Sequence, residues 1–319
     1  MDALLRCTRQ ITAAPKGIVA IDTPAAAIAT RLRSAGLAPT EPMAREFRRV
    51  LVRSAALARF ASGVVLRPDD LDLPVDGTTA TEFLWRSGVV VGVRVDTGLE
   101  RGLGPEDRVT SGLDGLADRL RSARDAGARF ALWSVWTGLA VDGLSSLTVN
   151  SQAAARFART CQSAGLVPVV RVGARMPDGP QQARSAALGA ALLSVVGHLE
   201  DLEADLAATV VNTVHTGART FADSPLAMLP AHLGGVALNV APGAPPPPDA
   251  PWPIVFYVGR EVTLPALLAW GGRPSSVPAA AEALAARLER LADPRAGAES
   301  VGAATVTVLA PRKARRGAE

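Results

Sequence analysis

A chain of 319 residues, 48% of them hydrophobic, suffices for one large α/β domain or two smaller ones with a sizeable core. It has no continuous apolar run of roughly 18 residues and no charged-then-apolar leader, so it reads as a cytoplasmic chain without a membrane partner. A net charge of +4 with only 4% aromatic residues gives no stacking surface for nucleic acid.

Two of the 34 basic residues are lysines, Lys16 and Lys313, so thirty-two are arginines. With the abundant Ala, Gly and Pro, this skew has the character of a GC-rich coding sequence and suits specialised metabolism in a bacterium. It has one chemical consequence: any amine nucleophile has to be Lys16 or Lys313, because arginine stays protonated and forms no imine. Cys7 and Cys161 make no disulfide framework, and three scattered histidines without His-Glu-x-x-His or Cys-x-x-Cys spacing predict no metal and no cofactor.

After a short N-terminal segment, the run Gly17 to Asp22 is apolar and ends in an acid, as a buried parallel strand does when it delivers a polar group at its end. Thr23 and Pro24 then start a helix that Gly36 stops, and a second helix is expected over 41–57. Strand and helix go on alternating: strands over 62–66, 89–96, 128–136, 166–172, 207–212, 235–239 and 254–258, helices over 78–86, 112–125, 150–164, 181–199 and 278–291. Eight strands in such alternation predict a closed (β/α)8 barrel, with a doubly wound open sheet as the structural alternative. Between the sixth and eighth strands there is little room for helices, and 244–253, with four consecutive prolines, predicts an extended loop, read as a flap near the barrel mouth. The domain is expected over 1–300, and 301–319, with Arg312, Lys313, Arg315 and Arg316, as a flexible basic tail.

Several stretches resemble the class I fructose-bisphosphate aldolases. They are Pro15 to Asp22, Val91 to Asp96 with Gly112 to Leu116, Gly127 to Trp133, Gly165 to Val170, Thr209 to Gly217, and Gly259-Arg260 with Ala269 to Gly272. The resemblance implies an aldolase-type TIM barrel and, as in much of the family, a homo-oligomer. Taken residue by residue, Asp22 matches the family's first-strand aspartate, and Gly259 with Arg260 matches its phosphate-binding pair. Arg94 stands for a substrate-binding lysine, Leu132 for a catalytic lysine and Ser134 for an arginine. Arg171 and Gly173 replace two acid–base glutamates, and Val210 falls on the Schiff-base lysine. The family's C-terminal tyrosine has no counterpart, because Tyr257, the only tyrosine, falls inside the eighth strand.

Fold does not carry function, so the reaction is not inherited. In the family register the inward positions near the mouth include Asp22, Arg94, Asp96, Ser134, Trp136, Arg171, Asn212 and Arg260, with His215 in the loop just beyond. Asp22, Arg171, Asn212 and His215 are the candidate catalytic residues. Arg94, Asp96, Ser134, Trp136, Gly259 and Arg260 are the candidate binding residues, with guanidinium groups suited to carboxylate or phosphate. Alternatively, Arg171 only neutralises Asp22 or Asp96. Three functions stay open: an enzyme acting without an imine on a small anionic or phosphorylated metabolite, a non-catalytic binding or scaffold protein, and a residual fructose-bisphosphate aldolase.

Overall fold

The computed structural model describes residues 2–102, 108–138, 144–175, 181–214, 220–239 and 249–293. Eight parallel strands close into a barrel in chain order, the last pairing with the first: β1 (Gly17–Ala20), β2 (Ala61–Leu66), β3 (Val90–Arg94), β4 (Phe130–Gly138), β5 (Val167–Arg175), β6 (Val210–Val214), β7 (Gly235–Asn239) and β8 (Ile254–Val258). The expected (β/α)8 barrel is thus the observed one. Its strands are rich in Val, Ile and Ala because both faces are covered, one by the barrel interior and one by helices.

Alternation of side chains divides the core in two. Val19, Val64, Val91, Trp133 and Val170 point outward and pack under helices, whereas Ile18, Val65, Phe130, Leu132, Val169, Val210 and Tyr257 fill the interior. Trp133 stacks on Phe157 of the outer layer with ring centroids 5.6 Å apart. Phe130 fits inside only because its neighbours on β2 and β3 are glycines: a Cβ on Gly92 would run into the Phe130 ring, and one on Gly63 would come within 3.1 Å of it.

The N-terminal segment, read from sequence only as a preamble, is a helix, α1 (Asp2–Ile11). Its Leu4 and Ile11 join the interior cluster and close the N-terminal end of the barrel, and Ser62 Oγ donates to the Ile11 carbonyl at 2.7 Å. The single helix expected over 41–57 is two, α2 (Glu41–Val52) and α3 (Ala55–Phe60). Ser54 interrupts them, its hydroxyl accepting from the Ala56 N–H and starting the second. The helix expected from 112 begins at Leu116, because Gly98–Arg101 and Arg108–Ser111 pair first as an antiparallel hairpin. Beyond β8 a helix not expected from the sequence, α4 (Arg260–Trp270), begins directly at the strand end.

Between β6 and β7 the described residues hold no α-helix, only the 3-10 turn Pro225–Met228, in keeping with the short connection expected there. Of the expected flap, 244–248 lie outside the described residues, as do the basic tail and His215. Among the described residues no helix is long and apolar enough to cross a membrane.

Candidate active site

The interior is layered, and the layers change character towards the mouth. Leu132 pairs with Val169, and Val169 with Val210, so three apolar side chains stand side by side on β4, β5 and β6. One inward step higher, Ser134 pairs with Arg171 and Arg171 with Asn212. A polar layer therefore rests on an apolar floor that contains two of the three positions where the resemblance puts a lysine, 132 and 210. Val210 is fully enclosed. The only lysine among the described residues, Lys16, precedes β1 at the opposite end and donates from Nζ to the Ala58 carbonyl at 2.7 Å.

On the β1–β4 side of the mouth the charged residues form one network. Arg94 Nε donates to Asp96 Oδ1 at 2.9 Å, and its Nη2 to Ser134 Oγ at 3.3 Å. Asp96 Oδ2 accepts from the Ser134 backbone N–H at 3.1 Å. Arg94 Nη1 lies 3.6 Å from Asp22 Oδ2, close enough for charge attraction, yet that oxygen has no hydrogen-bond partner among the described residues. Burial pushes the Asp22 carboxyl above its ordinary value, and Arg94 and Arg171 oppose it only in part. For Arg94, burial works against the charge, but Asp96 and Asp22 outweigh it and hold the guanidinium above its usual value. Asp22, Arg94 and Asp96 face a cavity of about 340 Å³, lined also by Arg67, Asp69 and Arg119. Arg67 and Arg119 are not among the residues the sequence singles out: Arg67 directly follows β2, and Arg119 lies in the first turn of the helix Leu116–Asp125.

On the opposite side Arg171 forms no ion pair with Asp22 or Asp96. Its guanidinium lies 5.8 Å from the Trp136 ring centroid and 5.4 Å from that of Tyr257, a cation held on aromatic faces. Trp136 pairs with Gly173, and a Cβ on that glycine would be 3.2 Å from the indole. The place where the resemblance puts a second glutamate is thus filled by an indole from the neighbouring strand. Asn212 is completely buried, its Nδ2 donating to the Ala237 carbonyl at 2.7 Å and to Asn239 Oδ1 at 3.3 Å, while its Oδ1 has no partner among the described residues. Tyr257 was missed as a site residue. Its parity with Val255 and Gly259 is the signal that turns it inward.

Arg260 is not inside the mouth as expected. It is the exposed first residue of α4, one step past the inward-facing Gly259. Its near neighbour is Arg31, which donates to Thr23 Oγ1 at 3.0 Å and whose charge is disfavoured first by burial and then by Arg260. The Gly259 N–H, the donor expected to meet phosphate, is taken by Glu261 Oε2 at 3.1 Å. Arg31 and Arg260 thus make a cationic pair at a helix N-terminus that already carries a carboxylate of its own. Among the described residues no three His, Cys, Asp or Glu side chains cluster in a way that could hold a metal ion.

The family profile described as fructose-bisphosphate aldolase class-I matches residues 3–218. Fructose-bisphosphate aldolase of Drosophila melanogaster is 29% identical over 335 aligned residues, covering 95% of this chain and 92% of that one. A probable class 1 fructose-bisphosphate aldolase of Xanthomonas axonopodis pv. citri is 38% identical over 168 residues, about half of each chain. The aldolase of Plasmodium falciparum, solved in complex with TRAP and a small-molecule inhibitor, superposes with a TM-score of 0.84 at 25% identity, covering 94% of this chain and 96% of that one.

Proposed function

The chain belongs to the class-I fructose-bisphosphate aldolase family, and from that membership we propose an enzyme that acts on a small anionic or phosphorylated metabolite without forming an imine. The observation that carries this reading is the apolar layer of Leu132, Val169 and Val210 directly beneath the polar layer of Ser134, Arg171 and Asn212. Imine catalysis needs an amine of lowered pKa with an acid–base partner beside it. Val210 offers no amine, Lys16 is at the far end of the barrel, and Arg171 and Gly173 provide no carboxyl group.

What remains suits acid–base and orientation catalysis. Asp22 is a carboxylate raised by burial, with an oxygen unclaimed by hydrogen bonds, at the edge of an open cavity. In this reading it moves a proton at the reacting carbon. Arg94, fixed by Asp96, orients a carboxylate or phosphate by paired N–H groups. Arg31 and Arg260 receive a more distant phosphate once Glu261 gives way. The GC-rich composition suits bacterial specialised metabolism, and family membership makes a homo-oligomer the expected assembly.

A non-catalytic binding protein is the second reading, favoured by the way Arg171 lies across Trp136 and Tyr257 and fills that half of the mouth. The open Asp22–Arg94 cavity favours the enzyme. The direct test is borohydride reduction in the presence of dihydroxyacetone phosphate, read by mass spectrometry. No covalent adduct is expected; an adduct at any lysine overturns the imine-free mechanism and restores an aldolase. Calorimetry with inorganic phosphate tests the anion site itself, through loss of binding in Arg94→Ala.

A further inference from the structure

Three buried polar atoms on inward-facing residues of β6, β8 and the end of β1 lack a hydrogen-bond partner among the described residues: Asn212 Oδ1, the Tyr257 hydroxyl and Asp22 Oδ2. An enclosed hydroxyl left unpaired costs about 1–3 kcal/mol, so a phenol is a poor choice for filling a barrel that Phe would fill as well. Tyr257 is 3% exposed, and its ring carries the Arg171 guanidinium at 5.4 Å. The charged groups about it are Asp22, Arg171, Arg94 and Asp96. Burial first, and then Asp22, push its ionisation far above the usual range, so the phenol keeps its proton and remains able to donate it in a hydrogen bond. A neutral O–H on a ring that carries a guanidinium suits an oxygen that gains negative charge during a reaction.

We propose that Tyr257 touches the substrate of this site, its hydroxyl donating a hydrogen bond to the carbonyl oxygen of a small anionic carbonyl compound and holding that oxygen as it becomes an enolate. This rests on the anion-binding, imine-free reading above and supplies what that reading lacks, a replacement for the positive iminium as electron sink. Asp22 takes the proton from the carbon beside the carbonyl. The C–H electron pair becomes the new C=C bond, and the carbonyl π pair moves onto oxygen. Asp22 leaves the step protonated, and Tyr257 retains its own proton while donating to the oxyanion. Arg171 over the ring increases the donor strength of the phenol.

The chain has one tyrosine, so 13Cζ-tyrosine labelling gives one NMR signal that reports on Tyr257 alone. Oxalate, a planar dianion shaped like an enolate, is the probe, with inorganic phosphate as the comparison and calorimetry recording binding of each. Oxalate is expected to shift the signal saturably, whereas phosphate, held by guanidinium groups, moves it little. In Tyr257→Phe, oxalate affinity is expected to fall about tenfold or more, with phosphate affinity and thermal midpoint undiminished. If oxalate binds but the signal stays still, or Tyr257→Phe binds it equally well, the phenol has no such role and the anion site stands. A Tyr257→Phe protein markedly less stable than the parent marks the hydroxyl as structural and also overturns the proposal. If neither anion binds the parent, the anion-site reading fails and this inference with it.

Discussion

Arg94 and Asp96, two residues apart at the end of β3, are bound to each other at 2.9 Å, and Asp96 is tied in turn to the Ser134 backbone on β4. The guanidinium that faces the cavity is therefore aimed by a carboxylate whose side chain is only 1% exposed. Removing one member of such a pair leaves the other charge poorly compensated. Asp96→Asn is expected to cost about 2–3 kcal/mol in urea unfolding, less than a wholly enclosed pair, because Arg94 keeps contact with water and with Asp22. Phosphate affinity should fall with it. An Asp96→Asn protein of parental stability would mean that Arg94 needs no anchor.

Asp22 sets a pH dependence whose sign follows from its raised carboxyl. Between the ordinary value of 3.8 and the raised native one, the folded state binds more protons than the unfolded state. The contribution of Asp22 is therefore fully present below 3.8 and is lost as pH rises through its native value, with a slope approaching about 1.4 kcal/mol per pH unit within that window. Asp70, raised by burial against Arg48, adds a slope of the same sign. The informative quantity is thus the difference between parent and Asp22→Asn in denaturation across the acid range. That difference should grow in the variant's favour with rising pH, and a flat difference would show that the native carboxyl is not raised. If Asp22 is the base, turnover should rise on a limb above the usual carboxylate range.

Glu261 competes for the place where the family holds phosphate. Its carboxylate accepts from the Gly259 N–H and places negative charge beside Arg260 and Arg31. Glu261→Gln keeps the side-chain length and removes the charge. Inorganic phosphate should then bind about tenfold more tightly at low ionic strength, with the gain shrinking as salt is added. Unchanged affinity in calorimetry would place the phosphate away from Arg31 and Arg260.

The barrel was legible because its strands are local patterns: 235–239 and 254–258 are apolar runs whose bounds match β7 and β8. The elements that escaped depend on distant partners. The helix Asp2–Ile11 owes its place to the barrel end it closes, and the hairpin of Gly98–Arg101 with Arg108–Ser111 is defined by pairing across a connection. The helix Arg260–Trp270 contains Pro265 and follows Gly259, a combination that reads as loop. In the site, Asp22, Arg94, Asp96 and Ser134 do converge, as the alternation of inward residues led one to expect. Arg260 does not, because it has the parity of the outward-facing Phe256 and Val258 and follows a strand that ends at Val258. Arg171 meets aromatic rings instead of carboxylates, which strand parity alone cannot distinguish.

Placing an amine at position 210 tests whether one lysine suffices for imine chemistry in this barrel. Val210 is fully enclosed against Val169, so Val210→Lys places an amine where burial disfavours its charge. The nearby Arg171 guanidinium favours the neutral form further, which makes the amine nucleophilic. The variant should lose several kcal/mol of stability and, with dihydroxyacetone phosphate and borohydride, give an adduct at the new lysine. It should not cleave fructose 1,6-bisphosphate. Proton movements beyond the imine need carboxyl groups on β5, where Arg171 stands on one position and the Trp136 indole lies against Gly173 on the other. Adding Gly173→Glu would drive a side chain into that indole, so the double variant should be less stable still and no more active. Measurable cleavage by Val210→Lys alone would sink the claim that this mouth lacks the proton-transfer groups an imine mechanism needs.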